Sequence, residues 1–393
     1  MKTKYNQIPF DQSVIKQEKL DIENIRRTNA LPWRGQFSPD LVEVLLEKYS
    51  TDESIILDPF CGSGTTLIES SIRGNKSYGV ELNPAAYTLA RLYTFCAKEI
   101  KSLESSLINL EINISLNPDL TNDSHSLVKW IKENHNDNER IMLDAIFLLA
   151  LGNGEELKQD KLTKSFALVR QILQNLHNTH AEAKIILGDA RQTKLEGNSI
   201  DLVLTSPPYV NVFNYHQNYR KAVELLGWQV LPTARAEFGS NRKNRTNRLR
   251  TIIQYAQDIG ATLTETQRVV KNTGKSIWVV GRESKVRGCS IPNPEIIYRM
   301  ATEGVGLTLE TKMERSFTSR YGQVVYEDIL VFSHKTSAPP DLDTDELGRR
   351  VGIDILKRLT SEDESVMLDI QDAINFAPQV SSSPIPNHMY PKK

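Results

Sequence analysis

Ser54-Ile55-Ile56-Leu57-Asp58-Pro59-Phe60-Cys61-Gly62-Ser63-Gly64-Thr65-Thr66 reads as a strand, a glycine turn and the start of a helix. The apolar residues predict a buried strand that Asp58 ends. Gly62 and Gly64 let backbone approach a ligand closely in the turn, and Thr65 and Thr66 open a helix that Gly74 closes. Tyr78-Gly79-Val80-Glu81 then predicts a second strand, which makes a βαβ unit with a right-handed connection. Glu81 ends that strand 23 residues after Asp58. The turn carries no lysine or arginine, which a phosphate ligand would want, and the Asp58 at its start favours a cationic one.

Outward from this unit, Lys184–Leu187, Ile200–Leu204 and Ser276–Val280 predict further strands, and Leu307–Thr311 and Asp328–Phe332 close the sheet. Asp189 ends the strand after Glu81's. Acids at three successive strand ends line up on one edge of a doubly wound sheet, where such folds bind ligands. Each acid alone is as well explained as an ordinary strand end; the three together with the glycine turn point to a site.

Residues 1–30 are polar and predict an N-terminal arm. The main domain spans 31–335. It is interrupted at 97–180 by a stretch with helical spacing (Met142, Ala145, Ile146, Leu149; Phe166, Val169, Ile172, Leu176) and no strand signal. From Asp341 to Asp372 there are ten acids against four bases, and 381–393 is rich in Ser and Pro. Residues 336–393 therefore read as an acidic, partly disordered C-terminal tail, with one short helix on Leu347, Val351, Ile355 and Leu359.

A second motif, Thr205-Ser206-Pro207-Pro208-Tyr209, follows the Ile200–Leu204 strand. Two prolines fix the turn and remove backbone donors. Ser206 Oγ and the Pro207 carbonyl are then natural acceptors for a planar amine, and Tyr209 offers a ring on which a base can stack. Cys61 reads as a small apolar filler and His216 as a polar loop residue. Between 235 and 250 lie Arg235, Arg242, Lys243, Arg245, Arg248 and Arg250 against the single acid Glu237. Arg242 to Arg250 are the candidate phosphate contacts. Arg282, Lys285 and Arg287 extend the patch, and Arg315, Arg320 and Tyr321 are candidates to reach a target base.

Asp58–Thr66 and Thr205–Tyr209 together resemble motifs of the S-adenosylmethionine-dependent amino-methyltransferases of DNA, over roughly residues 30–95 and 184–335. The resemblance implies an α/β fold, a Rossmann-like, doubly wound, mostly parallel seven-stranded sheet. It implies S-adenosylmethionine as cofactor, with Asp58, Phe60, Gly62, Gly64 and Thr65 around it, Glu81 on the ribose and Asp189 on the adenine amine. Pro32–Pro39 is similar to the segment that covers the methionine end. There Trp33 and Phe37 are either ligand contacts or a staple of the first helix.

Ser206, Pro207, Pro208 and Tyr209 become the catalytic set, acting on a flipped base of double-stranded DNA. A serine at the head of the motif is typical of enzymes for cytosine N4, and Asp or Asn of those for adenine N6. The cofactor motif precedes the catalytic one here, as in circularly permuted classes, which leaves adenine N6 open. A restriction endonuclease is an expected partner. The alternatives are an RNA base methyltransferase and a non-catalytic nucleic-acid-binding protein on the same scaffold.

Bulk properties narrow the classes further. The 393 residues are 39% hydrophobic and 25% charged, with net charge −1, so only a local patch can attract nucleic acid. Cys61, Cys96 and Cys289 are too scattered for a zinc cluster or a disulfide framework. No long apolar run or signal-like start is visible, so a cytoplasmic protein without metal or membrane is expected.

Overall fold

The structure is a computed structural model and describes residues 4–23, 25–133, 135–210, 214–240, 244, 246–319, 322–335 and 343–386. Its strands are β1 (Ile56–Asp58), β2 (Ser77–Glu81), β3 (Ala183–Leu187), β4 (Ile200–Thr205), β5 (Val270–Gly281), the short hairpin β6 (Ser284–Val286) and β7 (Cys289–Ile291), β8 (Thr308–Thr318) and β9 (Val324–Ser333). Seven of them form one sheet in the order β3-β2-β1-β4-β5-β9-β8. β1 to β5 pair in parallel, while β9 runs antiparallel to both β5 and β8. This is the Rossmann-like, mostly parallel, seven-stranded arrangement. The order reverses between β1 and β4, and there the carboxyl ends of the strands open a crevice.

Helices cover both faces. On one, Leu41 and Leu45 of α1 (Pro39–Tyr49) pack on Ile56, Leu204, Ile277 and Val279. On the other, Trp278, Val280, Leu330 and Phe332 meet α2 (Arg250–Val269) and α3 (Thr344–Leu356). The alternation along β5, with Ile277 and Val279 facing one way and Trp278 and Val280 the other, is the period-two pattern of a strand buried on both faces. Between β2 and β3, residues 97–178 are mainly helical and pack around Phe147, Phe166 and Leu107 in a core shared with Leu89, Leu187 and Val223.

Three segments differ from the sequence reading. Of the 336–393 stretch, residues 343–386 are described, and they are not an acidic tail outside the fold. Thr344–Leu356 and Glu364–Phe376 are helices, and Leu347, Val351, Ile355 and Ile370 are buried in the same core as Trp278. A Cβ on Gly348 would lie 2.7 Å from the Gln257 backbone N, and one on Gly352 2.7 Å from Ile253 Cα, so these glycines allow α3 to lie directly on α2. The acids sit on the outer faces and conceal an amphipathic pattern.

Residues 4–21 are likewise part of the sheet's edge. Tyr5 is buried and donates to Asp328, Lys312 donates to the Tyr5 and Ile8 carbonyls, and Asp11 N donates to Lys312 O at 2.7 Å. The segment thus covers β8, which would otherwise be an exposed edge. Lastly, the run after Trp278 forms a hairpin, turned by Arg287 and Gly288 at φ 52° and 82°.

Candidate active site

A cavity of about 890 Å³, solvent mouth included, opens at the carboxyl ends of β1, β2, β3 and β4. Its floor is the glycine turn. Gly64 has φ 95° and caps the Thr65–Arg73 helix; a Cβ there would strike the Tyr93 ring at 2.8 Å. Gly64 is therefore needed behind the turn, away from the cavity wall. Gly62, at φ 55°, lines the wall.

Of the residues expected around a ligand, Trp33, Phe37, Asp58, Phe60, Gly62, Thr65, Glu81 and Asp189 all line the cavity, and Ser206 and Pro208 join them from the second motif. Pro207 and Tyr209 lie beside it and are not in its wall. Tyr209 rests on Gly281, where a Cβ would come within 2.7 Å of the ring. Its hydroxyl donates to Glu327 Oε1 at 3.1 Å and lies 3.5 Å from Ser206 Oγ. Arg315 lies 3.5 Å behind, on Glu327, so it supports this pair and does not extend toward a base.

The acids have distinct roles. Asp58 is buried and receives Thr205 Oγ1 at 2.6 Å, Thr66 Oγ1 at 2.7 Å and Phe60 N at 3.1 Å. Burial still lifts its carboxyl to about 6 against those three donors. With its oxygens so engaged, Asp58 ties the two motifs together while it also lines the cavity. Glu81 accepts from Gly62 N at 2.7 Å and Asn83 N at 2.6 Å, and burial pushes it up to about 8. Asp189 is held by Arg191, through Nε at 2.9 Å and Nη2 at 2.7 Å, and Arg191 Nη1 reaches Asp258 at 2.8 Å.

Trp33 stacks on Tyr215 and Tyr219, with ring centroids 6.4 and 6.2 Å away. Both readings of the 32–39 segment meet here, since Phe37 also packs on the α1 core. Tyr215, Glu237 and Phe238 complete the wall, although the sequence marked none of them as a ligand contact and Glu237 only as the single acid of the basic stretch. His216, read from the sequence as a polar loop residue, is buried, with Nδ1 2.6 Å from Glu237 Oε2. Cys61 is buried, as a filler would be.

The basic stretch divides. Arg242, Lys243 and Arg245 lie outside the described residues, as do Arg320 and Tyr321. Arg248 is exposed. Arg250 is not a free phosphate ligand: it pairs with Asp372 at 2.8 Å and stacks on Phe376 with its guanidinium 3.6 Å from the ring centroid. Arg282 is engaged by Asp328 and Glu314, and Arg287 by Asp369, so the expected extension of the patch is largely consumed in internal pairs.

Residues 7–92, which carry the glycine turn and Glu81, match the family model described as DNA methylase, of the N6/N4 type. Over these residues the chain is similar to the N6/N4 DNA methylases. Type II methyltransferase M.MjaII of Methanocaldococcus jannaschii is 33% identical over 88 residues, 22% of this chain and 17% of that protein. Type II methyltransferase M.BsoBI of Geobacillus stearothermophilus is 23% identical over 266 residues, 51% of this chain and 52% of that protein. The chain thus spans about half or less of the curated relatives it matches. Among solved structures, the rRNA methyltransferase aviRa of Streptomyces viridochromogenes covers 79% of this chain and 89% of its own at 10% identity, with a TM-score of 0.37. Among the described residues no helix is long and apolar enough to cross a membrane, and no group of three His, Cys, Asp or Glu side chains is arranged to hold a metal ion.

Proposed function

We propose that the protein transfers a methyl group from S-adenosylmethionine to an exocyclic amine of a flipped base in double-stranded DNA, cytosine N4 before adenine N6. The observation that carries this reading is the Thr205–Asp58 bond, which joins the Ser206–Tyr209 turn to the glycine turn on one cavity. Acceptor and donor sites are thereby held side by side, and proximity dominates a displacement of this kind.

The cavity suits the cofactor. Asp58, Glu81, Asp189 and Glu237 line it, and the described lining residues include no lysine, arginine or histidine. That composition disfavours nucleoside phosphates and suits a sulfonium joined to an amino acid and a nucleoside. When bound, the cofactor supplies an electrophilic methyl group.

The chain's own residues do the rest. Glu81 offers acceptors to ribose hydroxyls. Ser206 Oγ and the Pro207 carbonyl accept from the amine, drawing its lone pair out of the ring and toward the methyl. Tyr209, held by Glu327, gives the base an aromatic neighbour. Ser206 is at hand to pass the departing proton to solvent. Serine at the head of the turn favours cytosine. Phosphate contact falls to the 235–250 stretch, with exposed Arg248 its described member. The naming of both relatives as type II methyltransferases supports a restriction–modification setting with a cognate endonuclease.

Incubation of double-stranded DNA with labelled cofactor, digestion to nucleosides and mass identification tests the reading. N4-methyldeoxycytidine is expected. N6-methyldeoxyadenosine would change the base and keep the mechanism, and labelled RNA without labelled DNA would overturn the substrate.

A further inference from the structure

Glu237 is 7% exposed and lines the cavity, yet only one of its oxygens is engaged. Oε2 lies 2.6 Å from His216 Nδ1. Oε1 is buried and has no partner within 3.5 Å among the described residues, with the Asn83 side chain the next stabilising group after His216. An unsatisfied carboxylate oxygen costs free energy in the unliganded protein, and a ligand that donates to it recovers that cost. Burial raises the carboxyl above its ordinary range, against the lowering effect of His216 and, after it, of Asn83.

The position narrows what the ligand's donor is. Glu81 and Glu237 line the same space, and Asn83, whose backbone N donates to Glu81, lines it too. Tyr215 completes that side of the wall, stacked on Trp33. Two carboxylates on one patch call for two donors on adjacent atoms, which a ribose diol supplies.

The geometry points to Glu237 as a second ribose-hydroxyl acceptor, paired with Glu81 and held in place by His216. This deepens the proposed function and rests on its cofactor assignment. It has a structural consequence. Glu237 follows the Val230–Ala236 helix, downstream of the Ser206–Tyr209 turn, whereas Glu81 belongs to the first βαβ unit. The diol would bridge the two segments, so that bound cofactor ties the 214–240 wall to the first βαβ unit.

The test is calorimetric binding of S-adenosylhomocysteine and of its 2′-deoxy, 3′-deoxy and desamino analogues to the full chain and to Glu237→Gln, which keeps the shape facing His216. Wild type should lose about ten- to hundredfold on one deoxy analogue beyond the loss Glu237→Gln shows on it, the worth of a hydrogen bond to a charged acceptor. Equal losses in the two proteins on both deoxy analogues would overturn the assignment, as would an excess loss confined to the desamino analogue, which would put Glu237 on the amino-acid end. The analogue series on wild type alone does not depend on how the variant folds. If wild type binds none of the four ligands, the cofactor reading itself fails, a result distinct from unaltered discrimination in the variant.

Discussion

Thr205 and Asp58, 147 positions apart in the chain, are joined by a 2.6 Å hydrogen bond between the ends of β4 and β1. Thr205→Val keeps the volume and removes the donor. A buried carboxylate oxygen loses a partner, so unfolding free energy should fall by about 1–3 kcal/mol. The Ser206 turn also loses its tie to the glycine turn. Expected is a fall in kcat larger than the rise in KM for the cofactor, measured by steady-state methyl transfer alongside urea denaturation.

Arg191 is a clamp between Asp189 and Asp258, and all three are buried. Arg191→Met should strand two buried carboxyls and cost about 3–5 kcal/mol, as breaking buried pairs does. Denaturant titration checks the loss. Arg191→Lys should recover only part of it, because an ammonium cannot reproduce the two-point hold on Asp189.

Glu81 provides a pH dependence. In the free protein burial holds its carboxyl at about 8, and a ligand that donates to the carboxylate lowers it. Binding therefore releases a proton below pH 8. Cofactor affinity should rise with pH, by up to about tenfold per unit below 8, and level off above. Glu81→Gln should bind weakly and lose this slope. Calorimetry of S-adenosylhomocysteine from pH 6 to 9 in buffers of different ionisation enthalpy reads both the slope and the proton release.

The C-terminal helices are structural. Burying Leu347, Val351, Ile355 and Leu356 is worth about 1.5–3 kcal/mol each, which in sum approaches the ~5–15 kcal/mol by which a domain is stable. Ser383 also donates to Asp258, through N at 2.8 Å and Oγ at 2.6 Å. A chain ending at Lys335 should be insoluble or lack a cooperative thermal transition, whereas one ending at Ile385 should melt as the full chain does.

Arg248 and Arg250 should separate in their effects. Arg248→Ala is expected to lower affinity for all DNA sequences alike and reduce the salt slope by about one, with unchanged stability. Arg250→Ala should leave the slope alone and destabilise by about 1–2 kcal/mol, through loss of Asp372 and the Phe376 ring. Fluorescence anisotropy over a salt series and thermal melts make the comparison.

Much of the fold and part of the cavity were legible because they are local. A strand, glycines at a turn, a helix start and an acid at the next strand end are properties of consecutive residues. The parallel register of β1 with β2 and β4 then carries Asp58, Glu81 and the Ser206 turn to one edge. The helix on Leu347, Val351 and Ile355 is legible, but the segment's ten acids outweigh the sign of a packed helix that Gly348 and Gly352, one turn apart, carry.

Sequence alone determined which residue types face the cavity from β1, β2 and β4, since backbone pattern and strand ends fix them. Tertiary structure decided which charges are free. Asp58, Asp189, Arg250, Arg282 and Arg315 all find partners far along the chain or across a turn, and the wall at Tyr215, Glu237 and Phe238 closes only when the chain folds back over the sheet edge. Pairing of buried charges depends on distance in space, and a linear sequence does not carry it.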